Sequence, residues 1–295
     1  MNIYDAIDDE QKAAMPQVWS RLQHHFTSLG KSYFEVVFAT ACWLIKKKRK
    51  VAKGKFFVGI SGGQGSGKST FSNLLGLVLT EVFFAKTCVM SLDDFYLRHD
   101  ERLTLAKNIH PLLKTRGVPG THDLDLLEKT LSLIKDNKRV QIPKFDKSQD
   151  DRGATLEITS KDLEIVIMEG WCWGATPESD TSISLNQLEK EQDADGAYRH
   201  YVNQQLMTYQ DIFLSDASIF LSIPDMSSVL EWRGQQEREL RDGPKRMTKE
   251  EIAYFVMHYE RLTRHMLQTM PNQVDLTLYL NNKHEIEKAI LKKEN

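Results

Sequence analysis

The stretch GISGGQGSGKST, Gly59 to Thr70, sets Gly62, Gly67, Lys68 and Ser69 in the spacing G-x-x-x-x-G-K-S, directly after an apolar run and directly before a helical one. That spacing suits phosphate. The glycines let backbone N–H groups turn inward around phosphate oxygens, and the helix that follows adds the positive end of its dipole. Lys68 is placed to reach the transferable phosphate, and the Ser69 hydroxyl suits Mg²⁺. Gly62, Gly63, Gln64, Gly65, Ser66, Gly67, Lys68, Ser69 and Thr70 are therefore the expected nucleotide cradle, for ATP with Mg²⁺.

Two further groups of acids could act on what the cradle holds. In SLDDFYLRHD, Asp93 and Asp94 follow the apolar run Thr87 to Leu92, and carboxylates at the exit of an interior strand are costly unless they are bonded, bind metal or do chemistry. In a kinase for a small alcohol, one carboxylate must lie within hydrogen-bond reach of the acceptor hydroxyl and accept its proton as the phosphoryl group transfers. Either aspartate could serve, Asp93 first; Asp94 could instead hold Mg²⁺ through water. The other acid is Glu169 in LEIVIMEGWCW, at the carboxyl end of a nearly all-apolar strand, where ligands of open α/β sheets gather. It is placed to hold Mg²⁺ or its water shell, and Trp171 and Trp173 beyond it suit either a pocket wall or plain core.

These residues need a scaffold. FFVGI, TCVMSL, LEIVIME, ASIFLSI and VDLTLYL read as strands, separated by helical segments such as Lys68 to about Ala85 and about Asp123 to Lys135. Strands alternating with helices predict a mostly parallel sheet flanked by helices, an α/β fold of the P-loop NTPase kind, with TCVMSL next to the P-loop strand. Residues 16 to 50 carry helical apolar spacing broken near Gly30, which predicts an N-terminal helical extension over 1–54 ahead of a kinase domain over 55–295. Lys46 to Lys55 reads as a basic helix end rather than an address or a nucleic-acid patch. Pro177 to about Asp195 reads as a polar surface insertion.

A lid is expected over about 225–247. LEWRGQQERELRDGPKRM carries Arg233, Arg238, Arg241, Lys245 and Arg246 on and beyond a helix, with Gly234 as a hinge inside it. One of these cations, Arg233 among them, is expected to meet the phosphate in flight.

Composition excludes several classes. The net charge of −2 argues against nucleic acid or an anionic membrane as partner. Three cysteines without a C-x-x-C pair suggest neither a disulfide framework nor a zinc site, and the acidic start MNIYDAIDDEQ lacks the order of a signal peptide, so a cytoplasmic location is expected. No N-K-x-D element accompanies the P-loop, which sets a GTPase aside.

The ordered set GISGGQGSGKST, SLDDFYLRHD, HPLLKTRGVPGTHDLDLLEKT, PKFDKSQDDR, VIMEGW and MSSVLEWRGQQERELR resembles the plant-type D-glycerate 3-kinases and their microbial relatives, within the phosphoribulokinase and uridine kinase branch. The resemblance implies Asp93 as catalytic base and matches Glu169 to the family's strand-end glutamate; Lys68 and Arg233 are expected beside them in catalysis, and Asp94 and Tyr96 on the acceptor side. RGVPGTHD matches a family segment that implies Arg116, His122 and Asp123 as acceptor contacts; PKFDKSQDDR does the same for Lys144, Asp146 and Arg152, with Phe145 where a tyrosine is expected. The implied reaction is phosphorylation of D-glycerate at its 3-hydroxyl. A kinase for another small hydroxyl compound, such as a nucleoside, pantothenate or a sugar, and a nucleotide-binding regulatory ATPase are the alternatives.

Overall fold

The computed structural model describes residues 1–51, 54–239 and 247–293. Two N-terminal helices, α1 (Asp9–Leu22) and α2 (Gly30–Val51), precede the first strand, β1 (Phe56–Gly62), which runs into the P-loop and α3 (Lys68–Phe83). Strand β2 (Thr87–Ser91), helices α4 (His99–Asn108) and α5 (Leu124–Lys135), and the strands β3 (Arg139–Asp146), β4 (Asp151–Thr159) and β5 (Ile165–Glu169) follow. The chain closes with α6 (Gln187–Gln192), α7 (Ala197–Gln210), β6 (Ala217–Ser222), α8 (Met226–Glu239), α9 (Lys249–Gln273), β7 (Leu276–Leu280) and β8 (Ile286–Leu291).

Six strands form one sheet in the order β2-β5-β1-β6-β7-β8, parallel except for the antiparallel edge β8. The strand expected next to the P-loop strand is one place further out: β5 lies between β2 and β1, pairing Glu169 with Ile60 on one side and Ser91 on the other. Successive residues of a strand face opposite ways, and β5 shows what that does to its all-apolar sequence. Ile165 and Ile167 enter the core that includes α2 and α3, whereas Val166 and Met168 enter the core under α5, α7 and α9. Both faces are covered, as a parallel sheet requires.

Phe34, Val37, Phe38, Ala41 and Leu44 of α2 are fully buried in the same core cluster as Phe71 and Leu75 of α3 and Ile60 of β1. The helical extension thus forms a second layer on one sheet face. Its basic end is tied down by bonds from Lys46 to the Ala6 carbonyl (2.6 Å), from Lys47 to Asp275 (2.7 Å) and from Lys48 to Glu164 (2.8 Å). On the other face, α5 buries the stripe Leu127, Leu131 and Ile134 and starts at Asp123, whose side chain accepts from Leu126 N at 2.9 Å as an N-cap. The polar insertion before α7 is pinned by Arg261, which bonds Glu178 and Glu189, and by the buried pair of Arg199 with Asp193. No helix among the described residues is long and apolar enough to cross a membrane.

Strands β3 and β4 form a separate antiparallel hairpin that stands off the main sheet and packs on the turn after β2. PKFDKSQDDR forms the end of β3, the turn and the start of β4.

Candidate active site

The carboxyl ends of β1, β2 and β5 converge because these strands are parallel neighbours, and a cavity of about 260 Å³ opens there. Its wall combines Gln64, Gly65, Gly67, Lys68, Ser69 and Thr70 of the P-loop with Asp93, Tyr96, Arg116, Lys147, Glu169, Trp171, Arg233, Gln236, Phe255 and Tyr259. The P-loop has the backbone its sequence requires. Gly65 and Gly67 hold φ of +76° and +81°, a region costly for side-chain-bearing residues, and a Cβ on Gly65 would lie 2.9 Å from Trp232 Cβ. Gly67 is the N-cap of α3 and no side chain closes that helix end, so its first N–H groups face outward for an anion.

Ser69 donates to Glu169 Oε1 at 2.7 Å, which brings a hydroxyl and a carboxylate together at the foot of the P-loop. Lys68 reaches back to the Gly63 carbonyl at 3.4 Å.

Asp93 and Asp94 lie in a 3-10 turn, Leu92–Phe95, capped by the Ser91 side chain, and neighbours in so tight a turn diverge. Asp93 faces the cavity, where it accepts from the Tyr96 hydroxyl (2.6 Å) and the Lys147 ammonium (2.9 Å). Burial alone would raise its carboxyl pKa; Lys147, the Tyr96 hydroxyl and Lys68 more than offset this and hold it below the ordinary range. Asp94 turns instead to the hairpin, accepting from Lys144 Nζ at 2.6 Å and from Phe145 N at 3.2 Å, and it does not line the cavity.

Of the eight acceptor-side residues expected from sequence, the structure brings Tyr96 and Arg116 to the cavity wall. The other six stand behind it or away from it. Asp94 and Lys144 pair with each other, and Asp123 caps α5 while accepting from Arg152 Nη2 at 2.7 Å. Arg152 also donates to the Tyr96 carbonyl, so it braces the Tyr96 backbone. Asp146 faces solvent and accepts from Ser148 and Gln149 N within the hairpin turn. His122 is buried against Tyr96 and bonded to Tyr209. These residues shape the wall through the groups they hold.

Arg116 is set by three neighbours. Asp150 pairs with its guanidinium, the Phe145 ring lies under it at 5.3 Å, and its carbonyl accepts from the Tyr259 hydroxyl at 2.7 Å. Phe145 therefore serves as a stacking surface where a hydroxyl was expected. Asp150 itself is held by Arg102, a guanidinium only 1% exposed that also donates to the Leu97, Lys114 and Asp150 carbonyls. Gly117, at φ +112°, leaves room for Tyr259, whose ring would lie 2.9 Å from a Cβ there.

Arg233 reaches the cavity from α8, donating to Glu237 (2.5 Å) and Gln236 (3.2 Å) over the Phe255 ring, and its buried Nε has no partner among the described residues. Gly234 lies within that helix. Arg238 is exposed at the end of α8, and Arg241, Lys245 and Arg246 fall outside the described residues. Trp171 lines the cavity and donates to the Gly117 carbonyl at 2.6 Å, while Trp173 is core, packed on Phe213. Lys147, Gln236, Phe255 and Tyr259 were not expected. Lys147 is a cation inside PKFDKSQDDR, between two residues of the expected acceptor side; Phe255 and Tyr259 come from α9, which no motif marks.

A P-loop after β1, a strand-end glutamate bonded to the P-loop serine and an aspartate across the cavity define a P-loop kinase of the α/β class. The chain belongs to the phosphoribulokinase/uridine kinase family, whose model matches residues 57–179. It is 36% identical over 259 residues to the uncharacterized kinase mug58 of Schizosaccharomyces pombe, covering 83% of this chain and 93% of that one. It is 34% identical over 227 residues to the probable ATP-dependent kinase TDA10 of Saccharomyces cerevisiae, covering 70% and 76%. Among solved structures, a D-glycerate 3-kinase from Cryptococcus neoformans aligns with a TM-score of 0.65 at 27% identity, over 97% of this chain and 100% of that one.

Proposed function

We propose that this protein transfers the γ-phosphate of ATP to a hydroxyl of a small anionic alcohol, with the 3-hydroxyl of D-glycerate as the acceptor. The observation that carries this reading is the placement of Asp93 on the same cavity wall as the P-loop, flanked by the cations Lys147 and Arg116. A carboxylate held ionised within a hydrogen bond's reach of an acceptor hydroxyl can orient it and take its proton as the O–P bond forms. Two cations beside it match an acceptor that carries its own carboxylate, and Arg116 offers the planar fork that grips such a group. The resemblance to D-glycerate 3-kinases and the similarity to a solved one support the same acceptor.

The P-loop N–H groups and Lys68 would cradle the β- and γ-phosphates, and Arg233 would meet the charge on the phosphoryl group in flight. Ser69 and Glu169 present hard oxygen donors side by side, a set that suits Mg²⁺, which when bound neutralises charge on the β- and γ-oxygens. Tyr259 and Trp171 add apolar wall, which keeps water from competing with the acceptor.

The test is ADP release with Mg-ATP and a panel of D-glycerate, pantothenate, uridine and no acceptor. Turnover that requires D-glycerate supports the assignment; turnover with pantothenate or uridine moves the acceptor while keeping the kinase. Release indifferent to every acceptor leaves a regulatory ATPase.

A further inference from the structure

The turn between β7 and β8, Asn281–Glu285, lies outside every motif of the sequence, yet it touches the nucleotide cradle. Strand β7 runs parallel to β6 and β6 to β1, so β7 ends on the side of the sheet where β1 opens into the P-loop. From that turn His284 Nε2 lies 2.9 Å from the Gly65 carbonyl oxygen. A carbonyl can only accept, so Nε2 carries a proton and donates it. The same imidazole stacks on Trp232 of α8, with centroids 3.9 Å and planes 29° apart. Trp232 is 2% exposed and donates through Nε1 to the Asn282 carbonyl at 3.1 Å, and its Cβ stands where a Cβ on Gly65 would collide. Turn, cradle and helix thus close on one another.

What His284 holds bears on the phosphates. Gly65, at φ +76°, is the residue type that resists backbone rotation least, so the plane of the Gly65–Ser66 peptide needs an outside hold. In a planar trans peptide the C=O and the following N–H point opposite ways. With the carbonyl held out toward His284, the Ser66 N–H is turned to the inner side of the loop, where it donates to the Gly63 carbonyl at 3.2 Å. Next to Trp232 in the chain is Arg233, which lines the cavity together with Gly65. One side chain therefore braces both the cradle and the helix that carries Arg233.

His284 itself stands at φ +62°, a region that glycine enters at little cost and a side-chain-bearing residue does not. Such conformations persist only where the surrounding structure insists on them. Here Asn281 does so: its side chain accepts from Lys283 N at 2.9 Å and Glu285 N at 3.0 Å, and its carbonyl accepts from His284 N at 3.1 Å.

We propose that His284 is a positioning residue for the nucleotide, clasping the Gly65 carbonyl through its Nε2–H and bracing Trp232 with its ring, so that the P-loop has its binding shape before ATP arrives. A preformed site loses less freedom on binding, and the clasp therefore shows as affinity. The inference goes beyond the acceptor assignment and does not depend on it.

Affinity of the full chain for a fluorescent ATP analogue with Mg²⁺, without any acceptor, separates the clasp from ordinary turn structure when wild type, His284→Gln and His284→Asn are compared beside their urea unfolding. Both variants carry an amide; glutamine can bring it to the Gly65 carbonyl, whereas asparagine is one methylene short. Asparagine, however, suits φ +62° better. The clasp predicts His284→Gln within about threefold of wild-type affinity and His284→Asn weakened about tenfold, even where His284→Asn is the more stable of the two in urea. Affinities that follow stability, with His284→Asn binding better than His284→Gln, overturn the proposal, and so does equal affinity in all three proteins. His284→Gly, which relieves the backbone altogether, should bind as weakly as His284→Asn; wild-type affinity in that variant overturns the clasp even if His284→Gln does not fold. A wild type that does not bind the analogue overturns the nucleotide reading together with the clasp, whereas indifference to D-glycerate touches only the acceptor.

Discussion

Lys147 Nζ stands 2.9 Å from Asp93 Oδ2, although 54 positions of sequence separate them and they belong to different elements. The turn after β2 supplies the acid and the hairpin supplies the cation. Asp93 is thereby kept ionised and aimed, with the Tyr96 hydroxyl on its other oxygen.

That pairing fixes a pH dependence. The folded carboxyl of Asp93 sits below its ordinary range, so in its proposed role as base it would be active above its own pKa and lost as pH falls through it. Lys147→Met removes the largest lowering influence, so the acid limb of kcat/KM should move to higher pH. The KM for D-glycerate should also rise, by about tenfold if Lys147 grips its carboxylate. A pH profile of kcat/KM in which the limb stays put would show that Lys147 does not tune the base.

The two neighbouring aspartates should separate cleanly. Asp93→Asn keeps the shape and removes the base, so kcat should fall by roughly 10²- to 10⁴-fold while ATP still binds. Asp94→Asn should instead loosen the hairpin through Lys144 and Phe145 N, costing about 1–3 kcal/mol in urea unfolding with a smaller effect on kcat. Equal losses of kcat in both variants would contradict the division seen in the turn.

Arg116 and Asp150 form a further testable unit. Asp150→Asn frees the guanidinium without touching the cavity wall, and Arg116→Met removes it. Each should raise the acceptor KM, and on that readout the double variant should be no worse than Arg116→Met alone, because Asp150 reaches the acceptor through Arg116 while its pair with the buried Arg102 bears on stability. Additive losses in the cycle would mean that Asp150 acts elsewhere.

The buried His122 and the largely enclosed His258 should make the fold sensitive to acid. Burial lowers His122 and His258 to about 4, against an unfolded value near 6.5. Between those values the unfolded chain binds more protons, so stability is present above about 6.5 and is lost as pH falls toward 4. From pH 7 to pH 5 the loss should be roughly 2 kcal/mol for each histidine. His258→Gln, which spares the cavity wall, should flatten that dependence in urea titrations; an unchanged slope would show that His258 does not contribute.

The sheet was legible because its strands are short apolar runs and the P-loop is a contiguous signal. Phe56 to Gly62 and Ile165 to Glu169 appear where the alternation of runs and helices predicts them. The strand order was not legible, since adjacency depends on crossover packing, and β5 took the place beside β1 that β2 was expected to hold. The hairpin escaped notice for a different reason. β3 alternates inward only at Val140 and Ile142 before Pro143, and β4 is exposed over most of its length, so the signal of a buried strand is short in one and absent in the other. Val140 and Ile142 anchor the base of the hairpin in the core under α5, and charge pairing with Asp93, Asp94 and Asp123 holds its tip, with partners visible only once the chain is folded. His122, Asp123 and Arg152 were expected as acceptor contacts, and none of them lines the cavity; whether a residue touches the cavity or braces one that does is a matter of side-chain direction.

The hairpin has a bearing on how such an enzyme can change its diet. Lys144, Lys147, Asp150 and Arg152 all lie on β3, β4 or their turn, and none of them belongs to the six-stranded sheet that carries the nucleotide cradle. On the proposed reading, substitutions there would redraw the acceptor end of the cavity while the cradle keeps its own supports. Selection for a new acceptor therefore has a short, contiguous stretch of chain on which to work, and grafting a relative's hairpin is the shortest route by which the same exchange could be made deliberately.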